Sequence, residues 1–163
     1  MNHPMRTMPV ALFLLVCLAS SLALLPASAL AGEGSLEEQE EAVMLLNELR
    51  ERDGLAPLHW DPSSRLQDAA RVRARELARS FSHTRPDGRS CGSVLDDFGL
   101  RFRRWGENIA CGTRMTPAGA TGRWAGSPGH RENMLEPRFR EVGLASWHGG
   151  RGKVYWVQFF LTR

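Results

Sequence analysis

Gly106-Glu107-Asn108-Ile109-Ala110 is the most informative stretch of this sequence, and two others accompany it: Phe81-Ser82-His83 before it and Ser127-Pro128-Gly129-His130-Arg131-Glu132-Asn133 after it. Each carries a histidine or a glutamate among glycines, aromatic residues or small polar residues. Two imidazoles and a carboxylate that converge in space form a small polar site, which can hold a divalent cation or transfer a proton. A lone histidine is more often satisfied by hydrogen bonds than used as a ligand. The prediction of a site therefore depends on the three stretches together.

The amino-terminal residues have the composition of a secretory signal peptide. Arg6 lies in a short stretch without acidic residues, an apolar run covers residues 10–25, and Ala29-Leu30-Ala31 matches an A-x-A cleavage site. The run is shorter than the about 18 apolar residues expected of a membrane span. We therefore expect a signal peptide at residues 1–31, one domain at residues 32–163, and a mature protein that is secreted or periplasmic without a transmembrane segment. An uncleaved anchor is the alternative.

Two cysteines, Cys91 and Cys111, follow the predicted signal peptide. An even number of cysteines in an exported protein is more often bridged than free, which predicts a Cys91–Cys111 disulfide. Such a bridge would close a loop of about 20 residues and contribute roughly 3 kcal/mol to stability. Two separate buried thiols are the alternative.

Charge and motif content argue against several classes of function. The formal net charge of the whole chain is +3, and its arginines are interleaved with acidic residues instead of gathered in a block. This pattern argues against nucleic-acid binding. The sequence also lacks the H-E-x-x-H motif of a metalloprotease helix.

Helix signals dominate the first half of the predicted domain. Ser35-Leu36-Glu37-Glu38 predicts a capping box, and Asp53-Gly54 predicts the end of that helix. Asp61 followed by Pro62 predicts the start of a second helix. Its apolar stripe is expected to continue to Phe81.

The second half begins with a segment of a different kind. Residues 84–113 show no sustained helical or strand period, which predicts an irregular segment. Two helices are predicted at residues 117–125 and 127–135, and two strands at residues 142–145 and 154–161 joined by a glycine-rich turn. This order predicts an α+β fold with helices on either side of a small, mainly antiparallel sheet.

With these motifs the chain resembles the CAP superfamily of cysteine-rich secretory proteins, antigen 5 and plant pathogenesis-related proteins, in its short bacterial form. The resemblance covers about residues 36–160 and implies one CAP domain with a three-layer α-β-α sandwich. Five motifs in the family's order carry it: Asn47-Glu48-Leu49-Arg50 with Gly54-Leu55-Ala56-Pro57-Leu58, Phe81-Ser82-His83 as the end of the second helix, Gly106-Glu107-Asn108-Ile109-Ala110, Ser127-Pro128-Gly129-His130-Arg131 with Asn133 and Leu135, and Tyr155-Trp156-Val157-Gln158-Phe159.

The resemblance also implies a cleft with two histidines and two acidic residues, which in some members binds zinc or another divalent cation. His83 matches the first histidine, Glu107 the first acidic residue, and His130 is the candidate for the second histidine. The position of the second acidic residue, three residues after Trp124, holds Ser127. Three protein ligands and a water are sufficient for an open zinc site. Supporting roles are expected for Asn108, Ser127, Arg131 and Asn133.

Two classes of function agree with this sequence. The favoured hypothesis is a non-catalytic, monomeric recognition module that binds an extracellular protein, lipid or cell-wall ligand, because no nucleophile constellation is evident. The alternative is an extracellular, protease-like hydrolase with Glu107 or a histidine as general base and a metal-bound water as nucleophile. A structural surface protein with a vestigial cleft is a third reading.

Overall fold

The computed structural model describes residues 32–163, and the predicted signal peptide lies outside them. Among the described residues, no helix is long and apolar enough to span a membrane. The elements in chain order are β1 (Gly32–Glu33), α1 (Leu36–Arg52), α2 (Arg65–Leu77), α3 (Ser93–Asp97), β2 (Arg104–Thr113), α4 (Pro117–Ala125), α5 (Pro128–Leu135), β3 (Glu141–His148) and β4 (Lys153–Thr162).

The four strands form one sheet in the order β1-β3-β4-β2, with every neighbouring pair antiparallel. Strand β2 is therefore an edge strand that pairs only with β4. Its register sets Glu107 opposite Phe159 and Asn108 opposite Gln158. Because successive side chains of a strand point to opposite faces, Glu107 and Asn108 lie on different sides of the sheet.

Each face of the sheet has its own hydrophobic core. On β4, Trp156 and Phe160 pack in a core with α1, α4 and α5, whereas Val157 and Phe159 pack in a second core with α2 and α3. This alternation places the sheet between two helical layers. The predicted α+β fold and three-layer arrangement are confirmed.

The helix starts confirm one prediction and correct another. The Ser35 capping box is present, since Ser35 Oγ accepts from the Glu38 amide and Glu38 Oε2 accepts from the Ser35 amide, both at 3.2 Å. The predicted start at Asp61 is wrong, because Asp61 Oδ1 instead accepts from the amide of Ser63 at 2.8 Å and closes a turn. The cap of α2 lies three residues later, where Ser64 Oγ accepts from the Gln67 amide at 3.1 Å.

Residues 84–113 are more regular than the sequence suggested. They contain helix α3 and strand β2. No apolar alternation indicates β2, because both its faces are buried and Ile109 is the one large apolar residue in its middle, Gly106 to Ala110. Phe81 does not continue the buried stripe of α2: the helix ends at Leu77, and Phe81 is exposed. The predicted strands at residues 142–145 and 154–161 are confirmed as the central parts of β3 and β4.

Candidate functional site

Glu107 is the central residue of the candidate site. It lies on edge strand β2, on the face that packs against α2, and its side chain is only 2% exposed. Burial of an ionised carboxylate is unfavourable unless other groups pair with it and donate hydrogen bonds. Both oxygens of this carboxylate have such partners.

Arg73 is the first partner, and it comes from the buried face of α2. Its side chain is fully buried, and Nε donates to Glu107 Oε1 at 2.7 Å. One terminal nitrogen donates to the carbonyl of Ser82, and the other lies 3.5 Å from the carboxylate of Glu76. The guanidinium thus links the strand to the segment that follows α2.

No sequence motif identifies Arg73 as a site residue, but its position on helix α2 indicates a buried charge. Arg73 follows Leu66 by seven residues and precedes Leu77 by four, so helical spacing places it on the same apolar stripe. A charged residue on a buried stripe requires a buried partner. That requirement points to an acidic residue elsewhere in the chain, which the structure identifies as Glu107.

His83 is the second partner of Glu107. Its Nδ1 lies 2.5 Å from Oε2, and with the carboxylate ionised the imidazole is the donor. The imidazole is 58% exposed, so it forms the solvent side of the site. The expectation that Phe81-Ser82-His83 ends the second helix is wrong, because His83 lies six residues beyond the end of α2.

A β-hairpin of residues 82–91 carries His83, and we call it the His83 hairpin. The amide of Cys91 donates to the carbonyl of His83 at 3.0 Å, and the amide of Arg85 donates to the carbonyl of Arg89 at 2.8 Å. Gly88 at the turn has φ +87°, a conformation that favours glycine. The hairpin thereby brings Cys91 beside His83.

Ion pairs fasten the His83 hairpin to α2 and α3. The nearly buried Arg85 donates to Glu76 at 2.7 Å and to Asp97 at 2.6 Å, and Arg89 donates to Asp97 at 2.8 Å. The two guanidinium groups hold the pKa of Asp97 well below its usual range. Charges of alternating sign thus run from Glu107 through Arg73 and Glu76 to the hairpin.

Cys91 joins this site, and the predicted disulfide is wrong. Both Cys91 and Cys111 are free thiols. One ligand atom each of Cys91, His83 and Glu107 lies within 4.8 Å of the others. Cys111 follows Glu107 by four residues on β2, about 13 Å along the strand, whereas bridged cysteines have Cα atoms less than about 7 Å apart. The number of cysteines in the sequence carried no information on this separation.

The Cys91 thiol is protonated at neutral pH. Burial, reinforced by the negative charge of Glu107, raises its pKa to about 12. Reactive cysteines have a lowered pKa, because the thiolate is the nucleophile. This cysteine is therefore a poor nucleophile in the structure.

His130 lies on helix α5, which packs against α4 and β2. Its Nδ1 is 2.8 Å from Ser127 Oγ, so the serine at the position expected for a second acidic residue contacts the candidate for the second histidine. Burial and the charge of His83 lower the pKa of His130. His130 is not in the group whose ligand atoms lie within 4.8 Å of one another.

Amide side chains connect α5 to the edge strand. Asn133 Nδ2 donates to Asn108 Oδ1 at 2.9 Å, and Asn108 Nδ2 donates to the carbonyl of His130 at 3.0 Å. A Cβ on Gly106 would lie 2.9 Å from Asn133 Oδ1, which accounts for glycine at this position. Arg131 points elsewhere and pairs with Asp53 at the end of α1, 3.2 Å away.

The fold and the site together define an α-β-α sandwich with a paired histidine and glutamate at the edge of its sheet. A family model described as "CAP: Cysteine-rich secretory protein family" matches residues 43–160. The chain belongs to this family. The resemblance inferred from the sequence motifs is confirmed.

Three known proteins are similar to this chain. The uncharacterized protein YkwD of Bacillus subtilis is 32% identical over 127 residues, which are 77% of this chain and 47% of that protein. An extracellular protein containing an SCP domain from Bacillus anthracis has a TM-score of 0.64 and 28% identity over 78% of this chain and 41% of its own. An outer surface protein of Borrelia burgdorferi has a TM-score of 0.72 at 20% identity, over 82% of this chain and 99% of its own, and shares the fold. The chain spans about half or less of the length of the curated relatives it matches.

Proposed function

We propose that the protein is an exported, non-catalytic recognition module that binds an extracellular ligand at the His83–Glu107 cleft. The contacts of Glu107 carry this proposal, because Arg73 and His83 each occupy one carboxylate oxygen, at 2.7 and 2.5 Å. A general base must reach the proton that it removes from a substrate. A carboxylate that is already paired on both oxygens orients its neighbours and is poorly placed for that task.

The thiol of Cys91 supports the same conclusion. Its sulfur lies within 4.8 Å of ligand atoms of His83 and Glu107, and the rise of its pKa to about 12 keeps it protonated. Export is supported by the signal-like composition of residues 1–31 and by likeness to an SCP-domain protein described as extracellular.

A divalent cation of the kind bound by some family members fits part of the cleft. His83 supplies an imidazole nitrogen and Glu107 a carboxylate oxygen in direct contact, and Arg73 holds the second oxygen as an outer-shell partner would. A bound cation would add a positive charge that attracts an anionic ligand. His83 and Glu107 would hold it.

Two contacts favour the hydrolase alternative. Glu107 orients His83 through Nδ1, and Ser127 Oγ lies 2.8 Å from His130 Nδ1. A hydroxyl beside an imidazole is the local arrangement of an activated serine. Labelling by a fluorophosphonate probe that is lost in Ser127→Ala would establish a nucleophilic serine and overturn the non-catalytic proposal.

The recognition proposal is tested by co-sedimentation of the purified protein with insoluble peptidoglycan and with vesicles of anionic phospholipid. We expect retention on one of these probes to fall at least about tenfold in a His83→Ala, His130→Ala double variant, since a few contacts carry most of a binding energy. His59→Ala is the matched control, because His59 is an exposed histidine beside β3. Equal retention of all three proteins would contradict a role for the cleft.

A further inference from the structure

The His83 hairpin, Cys91 and Glu107 form a group of potential metal ligands that differs from the one expected from the sequence. Among residues 32–163, one group of three histidine, cysteine or acidic side chains has its ligand atoms within 4.8 Å of one another, and its members are His83, Cys91 and Glu107. His130, the third ligand expected from the resemblance, is replaced here by a thiol.

We infer that His83, Cys91 and Glu107 bind a thiophilic divalent cation of the zinc class, with an imidazole nitrogen, a thiolate sulfur and a carboxylate oxygen as ligands. The inference deepens the proposed function, because it names the ligands and the class of cation in the same cleft. A sulfur and a nitrogen ligand favour Zn²⁺ and related ions over Ca²⁺ and Mg²⁺, which prefer oxygen. Binding replaces the S–H bond of Cys91 with a sulfur–metal bond, and the proton passes to solvent.

The separations are close to those of a metal site. With metal–ligand distances of about 2.0–2.3 Å, the ligand atoms of a tetrahedral zinc ion are about 3.3–3.8 Å apart. The imidazole Nδ1 and the carboxylate Oε2 are now 2.5 Å apart, in a hydrogen bond, and the whole group lies within 4.8 Å. Side-chain movements of about an ångström therefore convert the hydrogen-bonded group into a coordinating one.

The surrounding charges also suit a divalent cation. Arg73 is positive, but it lies 3.5 Å from the carboxylate of Glu76 as well as bonding Glu107. Glu76 and Asp97 in turn pair with Arg85 and Arg89. Asp87 also pairs with Arg89, so four carboxylates face three guanidinium groups in this network. A thiolate of Cys91 brings the net charge to two negatives, which a divalent cation balances.

The three ligands have an outer-shell hydrogen-bond donor, and the site has a route by which a cation can enter. Arg73 Nε holds Oε1 of Glu107, which leaves Oε2 directed at His83, as outer-shell donors hold ligating carboxylates. Glu107 and Cys91 are buried, whereas the imidazole of His83 is 58% exposed. A cation would therefore enter from the His83 side.

The test uses the purified protein, reduced and metal-free, titrated with Zn²⁺ by calorimetry and with Co²⁺ by absorption spectroscopy. A cobalt-bound thiolate gives a near-ultraviolet charge-transfer band that cobalt bound only by imidazole and carboxylate lacks. Cys91→Ser removes the proposed sulfur ligand, and Cys111→Ser is the matched control at the second thiol. We expect one equivalent of metal and the band in the wild type and in Cys111→Ser. The band should disappear in Cys91→Ser, with affinity at least about tenfold lower.

Three results would overturn the inference. The first is a titration of the wild type with neither binding nor band. The second is a band that persists in Cys91→Ser. The third is metal binding that gives no charge-transfer band and is lost in His130→Ala, because the cation would then lie between the two histidines. That third result would leave the proposed cleft function standing.

A measurement that does not depend on the folding of Cys91→Ser completes the test. In the Cys111→Ser background Cys91 is the sole thiol of residues 32–163. Alkylation of this buried, protonated thiol by iodoacetamide is slow even without metal, so it is followed to completion over hours. We expect saturating Zn²⁺ to slow it at least about tenfold further, since a coordinated sulfur is not free to react. Equal alkylation rates with and without Zn²⁺ would overturn the inference.

Discussion

The two sides of the cleft are held by different forces. On the α2 side, Glu107 is buried between Arg73 and His83, and ion pairs continue to the His83 hairpin. On the α5 side, His130 is held by the hydroxyl of Ser127 and by the amide of Asn108. One side thus depends on charges paired around a buried carboxylate, and the other on hydrogen bonds between neutral groups. Because of this difference, we expect removal of one partner to change stability by different amounts on the two sides.

The largest effect is expected from Arg73→Met. The substitution keeps much of the side-chain volume but leaves the buried carboxylate of Glu107 without its cationic partner. Breaking a buried ion pair by removing one partner costs about 3–5 kcal/mol. The free energy of unfolding from urea denaturation should fall by that amount at neutral pH.

Arg79→Met is the control for this change, because Arg79 is exposed just beyond the end of the same helix. Its effect should stay within about 0.5 kcal/mol. Equal effects of the two substitutions would show that the Arg73–Glu107 pair does not stabilise the site. Glu107→Gln carries a related difficulty, since it removes the carboxylate closest to a fully buried guanidinium. His83 is therefore the better position for functional variants.

A smaller effect is expected where α5 approaches the edge strand. In Gly106→Ala, the new Cβ would lie 2.9 Å from Oδ1 of Asn133, so the substitution should cost about 1–3 kcal/mol. Asn133→Ala removes this Oδ1 together with the hydrogen bond to Asn108. It should lower the free energy of unfolding by about 1–3 kcal/mol. The loss of unfolding free energy in the double variant should be smaller than the sum of the losses in the two single variants, by about 1 kcal/mol.

A double-mutant cycle of unfolding free energies checks this coupling. Four proteins are compared: the wild type, each single variant and the double variant. Strict additivity would mean that Gly106 is required for a reason other than the approach of Asn133. The nearest alternative contact is Phe139, whose ring would lie 3.3 Å from the same Cβ.

Much of the fold could be predicted from the sequence, because its signals are local. The Ser35 capping box and the apolar runs of β3 and β4 identify elements without knowledge of the rest of the chain. Strand β2 escaped prediction for a physical reason: its middle is buried on both faces and holds one large apolar residue, Ile109, among small and polar ones, so it has no apolar alternation.

The site was only partly predictable, because its partners come from distant elements. His83 and Glu107 were named from their motifs, and the structure brings them into contact. Arg73 was hidden among exposed arginines of α2, and Cys91 reaches the site only through the pairing of the His83 hairpin. The Pro86-Asp87-Gly88 sequence is a turn signal that could have indicated this hairpin.

The pH dependence of stability should distinguish the α5 side. Burial and the charge of His83 lower the pKa of His130 below its ordinary value of 6.5. Below pH 6.5 the unfolded state then binds more protons at this position than the folded state, so this histidine destabilises the fold as the solution is acidified. Between pH 7 and pH 5 the wild type should lose more stability than His130→Asn, as measured by urea denaturation. A pH dependence of stability in His130→Asn equal to that of the wild type would contradict the assignment.

The smallest effect, and the sharpest comparison of the two sides, is expected from Ser127→Asp. The carboxylate would take the place of the hydroxyl that now lies 2.8 Å from Nδ1 of His130 and give the α5 side the kind of acid–imidazole contact that Glu107 and His83 already form. A negative charge beside an imidazole favours its protonated form, so the pKa of His130 should rise. Ser127→Asn is the matched control, since it has a similar shape without the charge. Titration of the His130 ring protons by NMR gives the two pKa values directly. Equal values in the two variants would mean that the side chain at position 127 points away from the imidazole, and that the α5 side cannot be converted to paired charges by a single residue.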